Sequence, residues 1–280
     1  MIHFWDLFRK KQVNNSKENT HQNVSEVISP DQIASENIFE KLGDKSIHTF
    51  IIADTHSYLN EEELPKTDMP YDLLICLGDI GWSDWQRLFS YSQFKNIPYK
   101  IGVVGNHDSN DFSEINQWLQ ESNITPIIDL HNVSYTLPDY NLIFAGIKAS
   151  VKYKNDSNLL TQKQAYDISE QMPKADILIT HSNPKLEYDI EDGIYPNAHA
   201  GLYGITNYMI KNHCTYNIHG HVHEKYIKRH KLNSDVFYEL SFHRVSSVNI
   251  TKNGIIYLEE NNIRERQRAY TSTQKEERDL

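Results

Sequence analysis

Apolar runs that stop abruptly at a polar residue recur along the chain. Thr49–His56 (TFIIADTH), Leu73–Asp79 (LLICLGD), Ile101–Asp108 (IGVVGNHD), Ile177–His181 (ILITH) and Tyr216–His223 (YNIHGHVH) each end in Asp, His or Asn. Unbroken apolar runs bounded by turn signals suit strands covered on both faces, as in a parallel sheet. In open α/β sheets, sites lie outside the carboxyl ends of such strands. Between them the spacing predicts helices at 84–94, 111–120, 159–172 and 202–212, and strands at 48–53, 72–77, 100–104, 176–180 and 215–219. The helix at 111–120 sets Phe112, Ile115, Trp118 and Leu119 at helical spacing, and the one at 159–172 stops at Pro173. Three short strands (PIID, VSYTL, LIFAGI) are expected within 126–147, and four more at 225–230, 235–242, 245–250 and 254–259. Alternating α and β followed by a run of strands gives an α/β (α+β) fold, two mixed sheets packed together with helices outside.

The ends read differently. Residues 1–12 place Ile2, Trp5, Leu7 and Phe8 before Arg9, Lys10 and Lys11, an amphipathic stretch that suits a membrane surface, a partner or a frayed terminus. Residues 13–45 are rich in Asn, Ser, Gln and Glu and hold too little apolar material for a core, apart from one short helix near 38–42. The expected division is a flexible extension over 1–45, one domain over 46–260 and a charged tail over 261–280. A long loop at 182–201 is of the kind that carries function.

Composition narrows the field. A formal net charge of −10 argues against a general nucleic-acid binder, which needs a basic surface. No apolar run is long enough to span a membrane, and the N-terminus lacks the apolar core of a secretory signal. The two cysteines, Cys76 and Cys214, lie in or beside apolar runs and suit a reduced, cytoplasmic setting.

Taken singly, each polar run-end has a plain structural reading. Asp54-Thr55-His56 and Asn106-His107-Asp108 serve as polar turns, Gly78-Asp79 as a turn dipeptide, and His181 as a hydrogen-bonded core histidine. His221 and His223 say more, because residues i and i+2 of an extended segment point the same way and can grip one metal or two adjacent ones. Imidazole and carboxylate together suit a divalent transition metal.

In order, D-x-H, G-D, G-N-H-D, H and G-H-x-H at successive strand ends resemble the calcineurin-like metallophosphoesterase superfamily, over about residues 48–223. The resemblance implies a four-layer αββα sandwich and two divalent metal ions, drawn from Mn, Fe, Zn or Ni with Mn favoured. It further implies Asp54, His56 and His223 as ligands of the first ion, Asn106, His181 and His221 of the second, and Asp79 as the bridge. His107 would serve the leaving group, oriented by Asp108. Two divalent ions less two aspartates leave a charge of about +2, suited to a phosphate, and the ions make water nucleophilic near neutral pH.

Some positions depart from common members. Ser57 stands where a glycine often follows D-x-H. The segments GDIGWS and VGNHD differ from the G-D-x-V-D-R-G and R-G-N-H-E of phosphoprotein phosphatases, and Val104 replaces their arginine. Ala198-His199-Ala200-Gly201-Leu202 looks closest to small phosphodiesterases that include cyclic-nucleotide-type enzymes. The expected function is hydrolysis of a small, nucleotide-type phosphate diester. A nuclease, a phosphomonoesterase or a non-catalytic metal-binding scaffold are the alternatives. His199 is a candidate substrate contact, His219 a supporting residue, and Trp82 and Trp85 either packing or stacking platforms for a base or an aromatic leaving group.

Overall fold

Successive side chains of a strand point to opposite faces. In the computed structural model, which describes residues 24–28, 39–67, 69–232 and 234–258, that alternation sorts the apolar runs into separate layers. The first strands are β1 (Val24–Val27), β2 (Ile47–Ala53), β3 (Leu73–Cys76), β4 (Tyr99–Gly102) and β5 (Ile128–Asp129). Next come β6 (Ser134–Leu137), β7 (Leu142–Ile147), β8 (Ser150–Val151), β9 (Leu159–Leu160) and β10 (Ile177–Thr180). The last are β11 (Tyr216–His219), β12 (Tyr226–Leu232), β13 (Asp235–Ser241), β14 (Arg244–Thr251) and β15 (Gly254–Tyr257). The helices are α1 (Trp82–Leu88), α2 (Ser92–Lys95), α3 (Ser113–Glu121), α4 (Gln162–Gln171) and α5 (Tyr203–Asn212).

One sheet has the order β15-β14-β2-β3-β4-β5 and the other β1-β12-β13-β11-β10-β7-β6, with β8 and β9 paired separately. The strands β2, β3 and β4 are mutually parallel, as are β7, β10, β11 and β13, and antiparallel neighbours make both sheets mixed. Ile47, Ile51, Leu73 and Ile75 of the first sheet meet Phe144, Ile177, Ile179 and Ile218 of the second in a layer between them. Their sequence neighbours face outward: Phe50, Ile52 and Leu74 pack with Trp85, Leu88 and Leu119, while Leu178 packs with Ala165, Ile205 and Tyr208. The result is the expected order of helix, sheet, sheet, helix.

Helices of at most 10 residues are marginal alone, so these are held by the apolar faces they bury. The helix α4 adds a capping box, in which Thr161 Oγ1 accepts from the Gln164 N–H and Gln164 Oε1 accepts from the Thr161 N–H. It begins later than expected because Leu159 and Leu160 form β9. The helix expected at 84–94 is broken into α1 and α2. A continuous helix sets residues five apart about 140° round its axis, whereas the break lets Phe89 and Phe94 both enter the outer layer.

The reading of 1–45 as an extension without core material needs correction. Strand β1 pairs antiparallel with β12 and forms the edge of the second sheet, and Ile28, Phe39 and Leu42 are buried in the layer between the sheets. Phe39 lies 5.3 Å from the Tyr216 ring, and its N–H donates to the Lys252 carbonyl. A few apolar residues cannot build a core, but they can complete one. The expected short helix near 38–42 is a 3-10 turn at Glu40–Leu42. The apolar stretch at 1–12 and the tail at 261–280 lie outside the described residues. Among those described, no helix is long and apolar enough to cross a membrane.

A buried carboxylate ties the second sheet together. Glu239 of β13 accepts from His219 of β11 (3.1 Å), His230 of β12 (2.5 Å) and the Tyr226 hydroxyl (2.6 Å). His230 in turn contacts Ser25 of β1 at 2.8 Å. Burial opposes the charge on Glu239, but hydrogen bonds from His219 and His230 outweigh it and hold the carboxyl well below its usual range.

Phe39→Ala should lower stability by about 3–5 kcal/mol, the usual cost of truncating a buried aromatic. Denaturant unfolding is the measurement. A change under about 1 kcal/mol would place Phe39 outside the core and restore the boundary at 45.

Candidate metal centre

The carboxyl ends of β2, β3 and β4 reach one edge of the first sheet, and those of β10 and β11 the facing edge of the second. Asp54 and His56 follow β2, Asp79 follows β3, and Asn106, His107 and Asp108 follow β4. His181 follows β10, and His221 and His223 follow β11. The loops are stitched together by backbone bonds, Asp54 N–H to the Gly78 carbonyl, His56 N–H to Asp79 and Gly220 N–H to His181. Two bonds cross between the sheets: the His221 N–H donates to Asp54 Oδ2 at 2.8 Å, and His181 Nδ1 donates to the Leu77 carbonyl at 2.7 Å.

This convergence forces unusual backbone. Asp54, His56, Ser57, Asp79, His221 and His223 all have positive φ, between 48° and 71°. Such residues cost of order 1–3 kcal/mol each and cluster where function needs them. His221 and His223 are therefore not the i, i+2 pair of an extended strand that the sequence suggests. Gly105 is required beside them, because a Cβ there would collide with the Asp79 carboxylate.

The side chains gather in two groups, Asp54–His56–His223 and Asp79–His181–His221, each with donor atoms within 4.8 Å of one another. Asp79 Oδ2 faces both, 3.4 Å from His181 Nε2 and 3.9 Å from His56 Nε2. Asn106 Oδ1 is 2.9 Å from His181 Nε2, and its amide nitrogen donates to the Tyr153 hydroxyl at 3.4 Å, which turns the oxygen inward.

Hydrogen-bond accounting tests whether cations fit. The Leu77 carbonyl can only accept, so His181 Nδ1 carries a hydrogen and Nε2 is the ring atom turned to two oxygens, Asn106 Oδ1 and Asp79 Oδ2. His56 Nε2 and His223 Nε2 face each other at 3.3 Å. Asp54 Oδ1 is buried and accepts no hydrogen bond, while lying 3.8 Å from His223 Nε2. Carboxylate and amide oxygens and imidazole nitrogens converging at both points call for positive charge there, from a proton or a cation. His221 Nε2 donates to the Ala198 carbonyl at 2.9 Å, leaving Nδ1 for a metal.

The electrostatics agree. Burial, reinforced by Asp79, pushes Asp54 up to about 7. Burial also opposes charge on Asp79 and His181, yet their attraction outweighs it, holding Asp79 well below the carboxylate range and raising His181 to about 9. Burial, then repulsion from His181, takes His221 down to about 3, and burial lowers His56 and His223. Those three imidazoles are thus neutral, the form that coordinates.

The His107 ring is exposed at the rim, edge-on to His56 at 5.3 Å, and its backbone N–H donates to Asp79 Oδ1 at 2.7 Å. Asp108 does not have the role expected of it. Its carboxylate accepts from the backbone N–H groups of Asp79 (2.6 Å), Ile80 (3.0 Å) and Gly105 (2.7 Å), so it welds the β3 and β4 loops and is taken up by backbone.

The sequence reading missed three neighbours. Asn158 is buried and donates to the Gly105 and Asp108 carbonyls, with no motif to mark it. Tyr153 is equally unmarked. His243 stacks on His223 at 5.0 Å, and it follows β13, so the same strand-end rule applied once more would have found it. Exposed His199 stands edge-on to His221 at 4.7 Å, while His219 is fully buried against Glu239. Trp85 is buried and stacked on Phe89, which makes it packing; Trp82 is 40% exposed.

The sequence matches the family model of the calcineurin-like phosphoesterase superfamily domain over residues 47–238. Among curated proteins, none matches the chain. Similar solved structures include the protein TT1561 of Thermus thermophilus, 10% identical with a TM-score of 0.46, the match covering 75% of this chain and 97% of that one. Another is the phosphopantetheinyl hydrolase of Mycobacterium tuberculosis, 14% identical with a TM-score of 0.44, covering 70% of this chain and 89% of that one. With all five strand-end motifs inside the matched region, the chain belongs to the calcineurin-like phosphoesterase superfamily, hydrolases acting on phosphate esters.

Proposed function

We propose that the chain is a phosphodiesterase that uses two divalent ions to hydrolyse a small, nucleotide-type phosphate diester. The observation that carries the reading is Asp79 Oδ2 facing two abutting ligand groups at once. Asp54, His56 and His223 would hold one ion and Asn106, His181 and His221 the other, with Asp79 offered to both. Mn, Fe, Zn and Ni all suit this oxygen and nitrogen donor set, and Mn is the first to try. When bound, two such ions lower the pKa of water and offset charge developing on phosphoryl oxygens.

The protein's own part is positioning. The His221 N–H fixes one Asp54 oxygen and leaves the other for a cation. The Leu77 and Ala198 carbonyls select the tautomers of His181 and His221. His107, on the rim and without Asp108 as its partner, is placed to hand a proton to a departing oxygen. The preference for a diester rests on charge. Buried Val104 stands where an arginine would clamp the second negative charge of a monoester, and the groups around the ligands, His107, His199 and His243, are imidazoles. The two cysteines are free and buried, as suits a reducing cytoplasm.

Removing the bridge should disable both ions. Asp79→Ala is expected to bind fewer than two metal equivalents by elemental analysis and to lose turnover of an aryl phosphodiester with Mn²⁺. Two ions retained would end the bridging assignment.

His107 and Asp108 should separate cleanly. His107→Ala should keep both ions while kcat falls on the order of 10²–10⁴, and less for an acidic leaving group such as nitrophenol. Asp108→Ala should instead lower thermal stability and metal affinity together, since three backbone N–H groups lose their acceptor. A purely kinetic defect in Asp108→Ala, with stability and metals intact, would return Asp108 to the role of His107's partner.

A further inference from the structure

His107 borders more than the metal centre. A cavity of about 230 Å³ opens beside it, between the loop after β3 and the start of α3. Its walls include Trp82, Phe112 and Ile115, and Asp111 and Glu114 stand at its edge. Ligand sites that take a drug-sized molecule span roughly 300–1,000 Å³, so this one takes a single moiety. That moiety must be attached to whatever departs past His107.

We infer that this cavity binds the leaving group of the substrate, and that the group is a nucleoside whose base stacks on Trp82. The inference rests on the phosphodiesterase reading for its reaction and adds the identity of the departing part. Of the two indoles on α1, Trp82 is left accessible, 40% exposed, whereas Trp85 is buried. It is buttressed by Trp118, ring centroids 5.7 Å apart, so it cannot fold away onto the protein. A flat π-face beside apolar walls suits a base, and every base has such a face.

The polar edge favours amino-bearing bases. Asp111 Oδ1 accepts from the Ser113 N–H at 2.8 Å, which fixes its carboxylate. Glu114 is exposed on the first turn of α3. Carboxylates only accept hydrogen bonds, so a ring carrying an exocyclic amine complements them and a carbonyl-edged ring does not. Lys148, whose ammonium donates to the Asn110 carbonyl, lies close enough to Asp111 to help lower its pKa, which moderates the negative field without filling the cavity.

The test pairs binding with selectivity, using full-length protein loaded with Mn²⁺. Adenosine should bind by calorimetry, about tenfold more weakly to Trp82→Ala, with Trp82→Phe recovering most of the loss. Adenosine 5′-methyl phosphate and ribose 5-methyl phosphate offer alcohols of similar acidity that differ by the base. The wild-type preference for releasing adenosine, in kcat/KM, should fall about tenfold in Trp82→Ala. Adenosine that does not bind, or binding and preference that Trp82→Ala leaves unchanged, overturns the inference. If neither diester is hydrolysed, the reaction reading fails, and the adenosine titration alone decides the cavity.

Discussion

A handful of lone pairs facing one another across the junction of two sheets sets the terms for everything else in this protein. Asp79 Oδ2, Asn106 Oδ1 and His181 Nε2 meet at one point, and His56 and His223 at a neighbouring one. Like-signed dipoles at such close range repel unless positive charge joins them. The loops that bring them together do so in left-handed backbone, which a polypeptide adopts only under constraint. The constraint is the apolar layer between the sheets, where fully burying each large side chain contributes about 1.5–3 kcal/mol. Site and core therefore oppose each other energetically, and an ion that binds only the folded arrangement would relieve that opposition.

Much of this is legible in the sequence, for a reason that can be stated. A strand buried on both faces must be apolar throughout, so the residue at which it turns polar marks its end, and five of those ends carry the candidate ligands. The layers follow from the same runs, since alternate residues must find cover on opposite sides. What the sequence hides is context. Phe39 stands among polar residues, and only the finished layer shows that there is a place for it. Asp108 follows a histidine and so resembles its partner, yet three backbone N–H groups reach it first. Asn158 belongs to no pattern, and its amide is explained only by the two carbonyls it meets. His221 and His223 were expected on an extended strand, but the chain turns left-handed to serve two groups instead of one.

The polar network around Glu239 shows a second principle at work in the same fold. From β13 it reaches partners on β11 and β12, with Ser25 of β1 beyond them, so one buried carboxylate fixes the lateral order of an entire sheet edge. Such a group is satisfied in one register only, because slipping a strand by one residue would turn its donor to the other face. Apolar contacts tolerate a shifted neighbour; this arrangement does not. The precision matters because His219 is the last residue of the strand that leads into His221 and His223.

The pairing of β2 with β14 carries a consequence in time. Ala53, one residue before Asp54, sits opposite Arg244, so the strand that presents the first ligands is hydrogen-bonded to one of the last strands made. Contacts so distant along the chain form late and slow folding. On a ribosome adding about 5–20 residues per second, β2 waits on the order of ten seconds or more for its neighbour. Until then one side of β2 has no backbone partner, and His221, whose N–H holds the Asp54 carboxylate, is itself made only shortly before that strand. The nascent chain cannot frame the candidate metal site early, and an ion offered to it would have to wait for the closing strand.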